Sequence, residues 1–287
     1  MSPTILQIIL LGMIQGAAEL LPVSSSAHVI VAEKLMRLDP ADPAMSFLLV
    51  MLHTGTMFAV IAYFWRAWRR SYFASAAQFR AVLPPVVIAS AGTVVVYFGL
   101  KVLIEKVILA GHGKAEIEQL FSCLPLIAAA LLAAGALILW SGHATSRRTD
   151  GGEVTARAAA AIGLVQGFCI PFRGFSRSGS TISVGLLTGV GRWPAELFSF
   201  ALAVILTPPA IAKEFLRLRA ARAAEPGAPP LLHLLQPGLL GMAASFGAGL
   251  LALAWLSRWL EKGRWQHFGY YCLGAAAIMG VLAARGF

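Results

Sequence analysis

The strongest constraint on the fold is a set of six long apolar segments that carry almost no charge. They are residues 44–65, 82–104, 120–140, 194–212, 238–256 and 267–284. A helix that crosses a bilayer needs about 20 mostly apolar residues, and each segment meets that length. Since helices satisfy their own backbone hydrogen bonds in lipid, the sequence predicts an all-α, polytopic membrane protein with six transmembrane helices.

The overall composition agrees with a membrane location. Apolar residues make up 58% of the chain and charged residues only 13%, against about 25% charged residues in a soluble domain. The net charge of +10 comes from basic residues that separate apolar runs, so we expect no nucleic-acid partner. The three cysteines lie in apolar segments, which predicts packed thiols rather than a disulfide or zinc framework.

Two further apolar stretches, residues 5–36 and 158–190, are each interrupted by a polar break. The first break contains Pro22 and three serines, and the second contains Pro171, two arginines and several serines. Irregular backbone at membrane depth is tolerated only where protein or a water-filled cavity satisfies its polar groups. We therefore predict that each stretch forms a re-entrant helical hairpin.

The two interrupted stretches resemble each other. The segment Gly12-Met13-Ile14-Gln15-Gly16 recurs 151 residues later as Gly163-Leu164-Val165-Gln166-Gly167. A proline, a serine-rich break and three spans follow each copy. We interpret residues 1–287 as a single integral membrane domain of two repeats, 1–145 and 146–287. An odd number of spans inverts one repeat relative to the other, so the two breaks would meet near the midplane, where helix N-termini bind anions well.

Glu19 is the acidic residue that lies deepest within an apolar segment, whereas the other glutamates lie near segment ends or in loops. A carboxylate buried in a membrane is costly and is a functional-site hypothesis by default. The alternative is an ion pair that holds two helices together. Gln15 precedes Glu19 by four residues, so both side chains share one helix face. We predict that both face the first break.

The first break also supplies Ser24, Ser25, Ser26 and His28. Serine needs an adjacent base to act as a nucleophile, and a Ser-Ser-Ser-x-His run at the start of a helix offers both groups. Ordinary N-cap serines and a structural histidine are the alternative.

The second break combines two arginines with hydroxyls and glycine. Its candidate anion-binding residues are Arg173, Gly174, Ser176, Arg177, Ser178 and Thr181. Guanidinium, hydroxyl and exposed backbone N–H groups before a helix suit an oxyanion or a phosphate, although an arginine at an interface can simply snorkel. Together the two breaks favour hydrolysis or binding of a phosphate ester. The chain contains no Walker A, His-Glu-x-x-His, Gly-x-Ser-x-Gly or Gly-x-Gly-x-x-Gly motif, so nucleotide, zincin and α/β-hydrolase chemistry lack support.

At these residues the chain resembles the bacterial undecaprenyl-pyrophosphate phosphatases of the UppP/BacA family. The first matching segment is Gln15-Gly-Ala-Ala-Glu19-Leu-Leu-Pro22-Val-Ser24-Ser25-Ser26-Ala-His28. The second is Gly174-Phe175-Ser176-Arg177-Ser178-Gly179-Ser180-Thr181. The resemblance extends over essentially the whole chain. Two departures stand out: Arg173 occupies the family's proline position, with one extra residue in the stretch from Gln166, and Gln15 replaces the first acid of the family's pair.

The resemblance implies that the protein hydrolyses undecaprenyl pyrophosphate to the monophosphate carrier that peptidoglycan synthesis reuses, and that it confers bacitracin resistance. It places the protein in the bacterial inner membrane, with the site opening to the periplasm. The basic residues are nearly balanced between the two faces, so charge alone leaves the orientation open. The expected partners are a polyprenyl pyrophosphate lipid and membrane lipids, and a homodimer is a further possibility.

The resemblance also suggests roles for the residues of both breaks. Ser25 is the candidate nucleophile, His28 its general base and Arg177 the pyrophosphate clamp. Glu19 would orient His28 or hold Mg²⁺ or Ca²⁺, although one carboxylate makes a weak metal site. A nucleophilic His28 or a directly activated water remains an alternative mechanism. The competing function is an inverted-repeat transporter or flippase for an anionic or polyprenyl-phosphate lipid, since broken helices that meet at the midplane are also a transporter architecture.

Overall fold

The computed structural model describes residues 3–39, 43–108, 120, 123–146, 151–223 and 231–286. These residues form α-helices throughout, and their only bridge of β type joins Gly152 and Val190. The helices are α1 (Ile5–Leu20), α2 (Ser25–Leu35), α3 (Pro43–Ser71), α4 (Ala76–Leu103), α5 (Leu124–Ala144), α6 (Ala156–Cys169), α7 (Arg177–Leu187), α8 (Arg192–Ala223), α9 (Leu231–Glu261) and α10 (Gln266–Ala284). A π-helical turn, Ile104–Ile108, extends α4.

The described residues contain six helices that are long and apolar enough to cross a membrane, as the sequence predicts. They are Met45–Ser71, Ala76–Val107, Leu124–Ala144, Arg192–Lys213, Leu235–Glu261 and Gln266–Ala284. The helices run further than the apolar segments, since α3 continues through Arg66, Arg69 and Arg70. In the third predicted segment the helix begins at Leu124, and residues 121–122 lie outside the described residues. The protein is a multi-pass helical membrane protein.

Helices α1 and α2 form a helical hairpin. Thr4 caps α1 through a capping box with Gln7, and α1 ends where Pro22 disfavours helical backbone. At 16 and 11 residues the helices are about 24 and 17 Å long, short of the roughly 30 Å hydrocarbon core. The Gln7 side-chain amide donates to the backbone carbonyl of Met36 at 3.1 Å, so the start of α1 and the end of α2 lie together.

Helices α6 and α7 form a second hairpin of the same kind. Thr155 caps α6 by accepting a hydrogen bond from the backbone N–H of Ala158, and the two helices have 14 and 11 residues. The Gly152 N–H donates to the Gly189 carbonyl at 3.0 Å, and the Gly191 N–H donates back to the Gly152 carbonyl at 2.9 Å. The chain therefore leaves and returns at one place. Both predicted helix–break–helix units are present.

The chain divides into two compact units, and each unit draws on both halves of the sequence. Unit 1 comprises Met1–Leu21, His28–Trp65 and Ala203–Leu256. Unit 2 comprises Pro22–Ala27, Arg66–Leu202 and Ser257–Phe287.

In unit 1, α1 packs closely on α9 through small residues. A Cβ atom at Gly12 would lie 2.8 Å from the Gly241 carbonyl oxygen, and one at Gly16 would overlap the Ser245 carbonyl. The Ser245 hydroxyl donates to the carbonyl of Leu52 at 2.7 Å, which ties α9 to α3 as well. Any side chain at either glycine of α1 would push the two helices apart.

In unit 2, α6 packs on α4 in the same way. A Cβ atom at Gly163 would overlap the Ala89 carbonyl, and one at Gly167 would lie 2.6 Å from the Thr93 carbonyl oxygen. The Thr93 hydroxyl contacts both the Ala89 and Gly163 carbonyl oxygens, at 2.8 and 3.1 Å. The Gly-x-x-x-Gly faces of α1 and α6 thus serve the same purpose in the two units, close contact with a long apolar helix.

One end of unit 2 gathers several helix termini. The Arg192 guanidinium donates to the backbone carbonyls of Glu261 and Thr145, at 3.2 and 3.4 Å, and so joins the start of α8 to the ends of α9 and α5. Near the same end, burial first and the Glu153 carboxylate second raise the pKa of the Tyr72 phenol above its ordinary value. The connection from α3 to α4 therefore lies beside the entry to α6.

Candidate active site

The non-helical residues of each hairpin form a tip: residues 21–24 are the first tip, and residues 170–176 are the second tip. The structure brings the first tip against the start of α7, inside unit 2. A Cβ atom at Gly179 would lie 3.2 Å from Cβ of Pro22. The Cys272 thiol of α10 donates to the Pro22 carbonyl at 3.2 Å, which fixes the first tip from the other side.

Both tips end on a serine with left-handed backbone. Ser24 has a φ of 65° and Ser176 a φ of 31°, and both side chains are buried. A non-glycine residue in this conformation costs about 1–3 kcal/mol and is found most often at functional sites. The next residues, Ser25 and Arg177, are the first residues of α2 and α7. The same backbone feature therefore presents a hydroxyl in one hairpin and a guanidinium in the other.

The serine and histidine candidates lie in the first turn of α2, as the sequence predicts. Ser25 and His28 are three residues apart on this helix, which places them on one face. The hydroxyls of Ser24 and Ser26 are 3.3 Å apart. Ser25, Ser26 and His28 are half-buried, so this face stays open to a ligand.

Glu19 and Gln15 share one face of α1, and the predicted pairing is confirmed. The Gln15 side-chain amide donates to Oε2 of Glu19 at 3.3 Å. Gln15 is buried and Glu19 half-buried, so the amide is enclosed while the carboxylate remains accessible.

Glu19 is not the most buried carboxylate of the described residues, although it lies deepest within an apolar segment of the sequence. Glu33 in α2 and Glu196 in α8 are almost fully buried. Oε1 of Glu196 accepts a hydrogen bond from the Ser257 hydroxyl of α9 at 2.5 Å. Glu196 lies near the start of α8, and α9 covers that end through Ser257. Hydropathy along the chain does not reveal that coverage.

The start of α7 is fixed by short hydrogen bonds. The Ser176 hydroxyl accepts from the Gly179 N–H at 3.3 Å, and the Ser180 hydroxyl donates to the Phe175 carbonyl at 2.8 Å. Arg177 is half-buried, with its Nη1 atom removed from solvent. The guanidinium is therefore held on a rigid turn rather than on a mobile loop.

Thr181 reinforces the same turn. Its hydroxyl lies 2.8 Å from the Arg177 carbonyl and 2.6 Å from the Ser199 hydroxyl of α8, and both Thr181 and Ser199 are fully buried. Sequence reasoning did not single out Ser199, because a serine inside an apolar segment carries no pattern that marks it. Ser199 contacts the Thr181 hydroxyl, which in turn contacts the backbone carbonyl of Arg177.

The remaining candidates of the second break lie in different environments. Arg173 is exposed, whereas Ser178 is buried in the first turn of α7. Gly174 is buried with a φ of 110°, and a Cβ atom there would lie 2.5 Å from the Ile127 carbonyl oxygen of α5. Only glycine fits this position, because the backbone is left-handed and α5 leaves no room.

The donor set does not fit a resident metal ion. Within the part of the chain that the structure describes, no three histidine, cysteine or acidic residues converge on one point. Glu19 offers one carboxylate, beside the neutral amide of Gln15. Mg²⁺ is usually bound by one or two carboxylates together with substrate phosphates, so Glu19 alone could only complete the shell of an ion that phosphate oxygens already hold.

Ser24, Ser25 and Ser26 at the first tip and Arg177 after the second tip lie in unit 2, and Glu19 and His28 flank the first tip along the chain. The fold is that of a multi-pass helical membrane protein, and hydroxyl and guanidinium groups at helix starts suit a phosphate. The family model described as bacitracin resistance protein BacA matches residues 8–278. The chain belongs to that family.

Related proteins agree over almost their full length. Undecaprenyl-diphosphatase 2 of Acinetobacter baylyi is 53% identical over 281 residues, covering 97% of this chain and 98% of that protein. Undecaprenyl-diphosphatase of Moorella thermoacetica is 33% identical over 287 residues, covering 98% and 99%. Undecaprenyl-diphosphatase of Acidiphilium cryptum is 34% identical, covering 96% and 95%.

Proposed function

We propose that this protein is an undecaprenyl-diphosphatase, which hydrolyses undecaprenyl pyrophosphate to undecaprenyl phosphate and inorganic phosphate. The observation that carries the proposal is the contact of the first tip with the start of α7, at Pro22 and Gly179. This contact gathers the serine hydroxyls and the Arg177 turn in one unit. Family membership and the names of the relatives supply the substrate. The transporter alternative is not favoured, because these relatives are named as diphosphatases.

The two hairpins are proposed to be re-entrant, and the two halves of the chain to be inverted repeats. Their short helices and joined ends support the first point. The second is supported by an exchange of partners: α1 of the first repeat packs on α9 of the second, and α6 of the second packs on α4 of the first. Helices α5 and α10 meet reciprocally, since a Cβ atom at Gly135 would lie 3.1 Å from the Gly269 carbonyl, and one at Gly269 2.9 Å from the Gly135 carbonyl.

In the proposed reaction, the Ser25 hydroxyl attacks the terminal phosphorus. His28 accepts the serine proton, the bond from that phosphorus to the bridging oxygen breaks, and undecaprenyl phosphate leaves. Water then releases inorganic phosphate from the serine. In the alternative mechanisms, His28 itself or an activated water attacks the phosphorus, and the phosphate-binding residues are the same.

Arg177 would bind two oxygens of the pyrophosphate, as a planar guanidinium can. Backbone N–H groups at the start of α7 and α2 add partial positive charge there. The further proposed contacts to the head group come from Gln15, Ser24, Ser26, Arg173, Gly174, Ser176, Ser178 and Thr181. Glu19 would orient His28 or complete the shell of a Mg²⁺ or Ca²⁺ ion that arrives with the substrate.

We place the protein in the bacterial inner membrane, with its site opening to the periplasm, where it would recycle the lipid carrier for peptidoglycan synthesis. Bacitracin resistance follows, since bacitracin sequesters the same pyrophosphate lipid. A homodimer stays a prediction.

The direct test is phosphate release from undecaprenyl pyrophosphate by purified protein, with and without a chelator. We expect Glu19→Gln to abolish most turnover while the protein stays folded in detergent. Glu33→Gln is the control, because Glu33 is a carboxylate of α2 that is more deeply buried than Glu19 and belongs to no proposed reaction step. Near-wild-type release by a folded Glu19→Gln protein would remove Glu19 from the reaction, and an inactive wild type would overturn the proposed function.

A further inference from the structure

Three phenylalanines meet at the second tip, and they are called here the aromatic cluster. Phe168 lies in the last turn of α6, and Phe172 and Phe175 lie in the tip itself. The ring centroids of Phe168 and Phe172 are 4.7 Å apart, and those of Phe168 and Phe175 are 5.3 Å apart in an edge-on arrangement. Both distances fall in the range of favourable aromatic pairs.

The aromatic cluster is fastened to the turn that carries Arg177. The Phe175 carbonyl accepts hydrogen bonds from the Ser180 hydroxyl at 2.8 Å and from the Cys169 thiol at 3.7 Å. Phe175 therefore bonds to both helices of the hairpin, two residues before Arg177. The position of the cluster relative to the first turn of α7 is fixed by the backbone.

The second tip leaves apolar surface uncovered where the first tip does not. Phe168 is 38% exposed and Ile170 is 42% exposed, and Phe172 and Phe175 are half-buried. In the first hairpin, Leu20 and Leu21 are 1% and 8% exposed. At the tips themselves, the open apolar surface therefore lies in the second hairpin, whose second helix begins with Arg177.

The chemistry of the substrate explains this difference, and the explanation rests on the proposed function. In a polyprenyl pyrophosphate the charged head is joined directly to methyl-branched, unsaturated isoprene units. A pyrophosphate held at Arg177 must place those first units within a few ångströms of the start of α7. Flat aromatic rings give branched hydrocarbon a large, rigid contact area, and burial of such area is favourable.

We propose that the aromatic cluster of Phe168, Phe172 and Phe175 binds the first isoprene units of the substrate. The cluster is then a specificity-determining subsite for isoprenoid over straight-chain pyrophosphates. The exposed guanidinium of Arg173, between Phe172 and Gly174, marks the boundary between the apolar subsite and the polar head-group site.

The test compares two soluble substrates with the same head and the same backbone length, farnesyl pyrophosphate and dodecyl pyrophosphate. For Phe168→Ala we expect the KM for farnesyl pyrophosphate to rise about tenfold, the scale of one lost contact in a hydrophobic pocket, with kcat little changed. The preference over dodecyl pyrophosphate should fall by a similar factor. Phe79→Ala is the control, because Phe79 is 46% exposed in the first turn of α4, whereas the end of α6 meets α4 near Val96, and its loss should change neither constant.

Phe168→Leu provides a second variant if the alanine protein does not fold, and it should show the same shift to a smaller degree. An unchanged KM, or equal losses of kcat on both substrates, would overturn the proposal and mean that the cluster contacts bilayer lipid or only stabilises the tip. Binding of farnesyl methylenebisphosphonate, whose P–C–P bridge cannot be hydrolysed, is measured by calorimetry and separates the two proposals. One outcome is that the wild type binds this analogue more tightly than Phe168→Ala does and yet releases no phosphate from undecaprenyl or farnesyl pyrophosphate. That result would overturn the proposed function and support the isoprene subsite.

Discussion

The two hairpin tips end in the same type of backbone conformation and differ in their chemistry. Each ends on a buried serine with left-handed φ, Ser24 or Ser176, and a helix of 11 residues follows. In the first hairpin the next residue is Ser25, with His28 one turn on. In the second it is Arg177, held by hydroxyl contacts that run through Thr181 to Ser199. A shared backbone conformation fixes the position of the next residue, and under the proposed function the side chain there either reacts with the phosphate, as Ser25, or binds it, as Arg177.

The largest effect should come from Ser25 and His28, the residues proposed to react with the substrate. We expect Ser25→Ala and His28→Ala each to reduce phosphate release by a factor on the order of 10²–10⁴, because each removes a group needed for proton transfer or attack. The double variant should lose little more than the worse single variant, since groups that act as a unit are non-additive. Single-turnover rates on detergent-purified protein measure this. Losses that multiply would show that the two residues act independently.

Arg177, the proposed phosphate clamp, should be sensitive to the shape of its side chain as well as to its charge. We expect Arg177→Lys to lose on the order of 10²–10³ in rate, almost as much as Arg177→Ala, because lysine cannot hold two phosphate oxygens in one plane. Arg173→Lys is the matched control on the same tip, and its exposed side chain should tolerate the change. If Arg177→Lys keeps most activity, the proposed two-oxygen contact is wrong and Arg177 contributes only positive charge. A larger loss in Arg173→Lys would transfer the clamp to Arg173.

A smaller effect should follow from displacing the first tip from the start of α7. A Cβ atom at Gly179 would lie 2.8 Å from Cδ1 of Ile138 and 3.2 Å from Cβ of Pro22, so Gly179→Ala should displace the first tip from α7. We expect a loss of ten- to roughly a hundredfold in kcat, the scale of a misplaced reacting group. Gly92→Ala is the control, since the nearest atom to its Cβ would be 3.5 Å away. Full activity in Gly179→Ala would mean that contact of the first tip with the start of α7 is not needed for turnover.

Much of this organisation is predictable from the sequence, for physical reasons. Long uncharged runs leave the chain few options other than spanning helices, and Pro22 and Pro171 interrupt two of the runs where helix cannot continue. The recurrence of Gly12–Gly16 at Gly163–Gly167 marks the helix faces that pack closely. The placement of Ser25 and His28 at a helix start follows from serine's preference for that position.

Other features depend on contacts that no local pattern encodes. Glu196 is covered by Ser257 of α9, 61 positions away, and the link from Ser199 to Thr181 joins residues 18 positions apart. The aromatic cluster needs the fold of the second tip before its three rings can meet. Hydropathy identifies which residues enter the membrane, and only packing reveals which of them become part of the site.

The joined ends of the hairpins have a consequence for how this chain tolerates insertions and deletions. Each tip is carried on two short helices anchored at one base, for the second hairpin by the hydrogen bonds between Gly152 and Gly189. A residue added within α6 or α7 would turn everything beyond it by about 100° and move it about 1.5 Å. The tips differ in length, residues 21–24 against residues 170–176, yet Ser24 and Ser176 each still start the following helix. Length can therefore vary in the tips without changing which residue begins the second helix, and that helix has 11 residues in both hairpins.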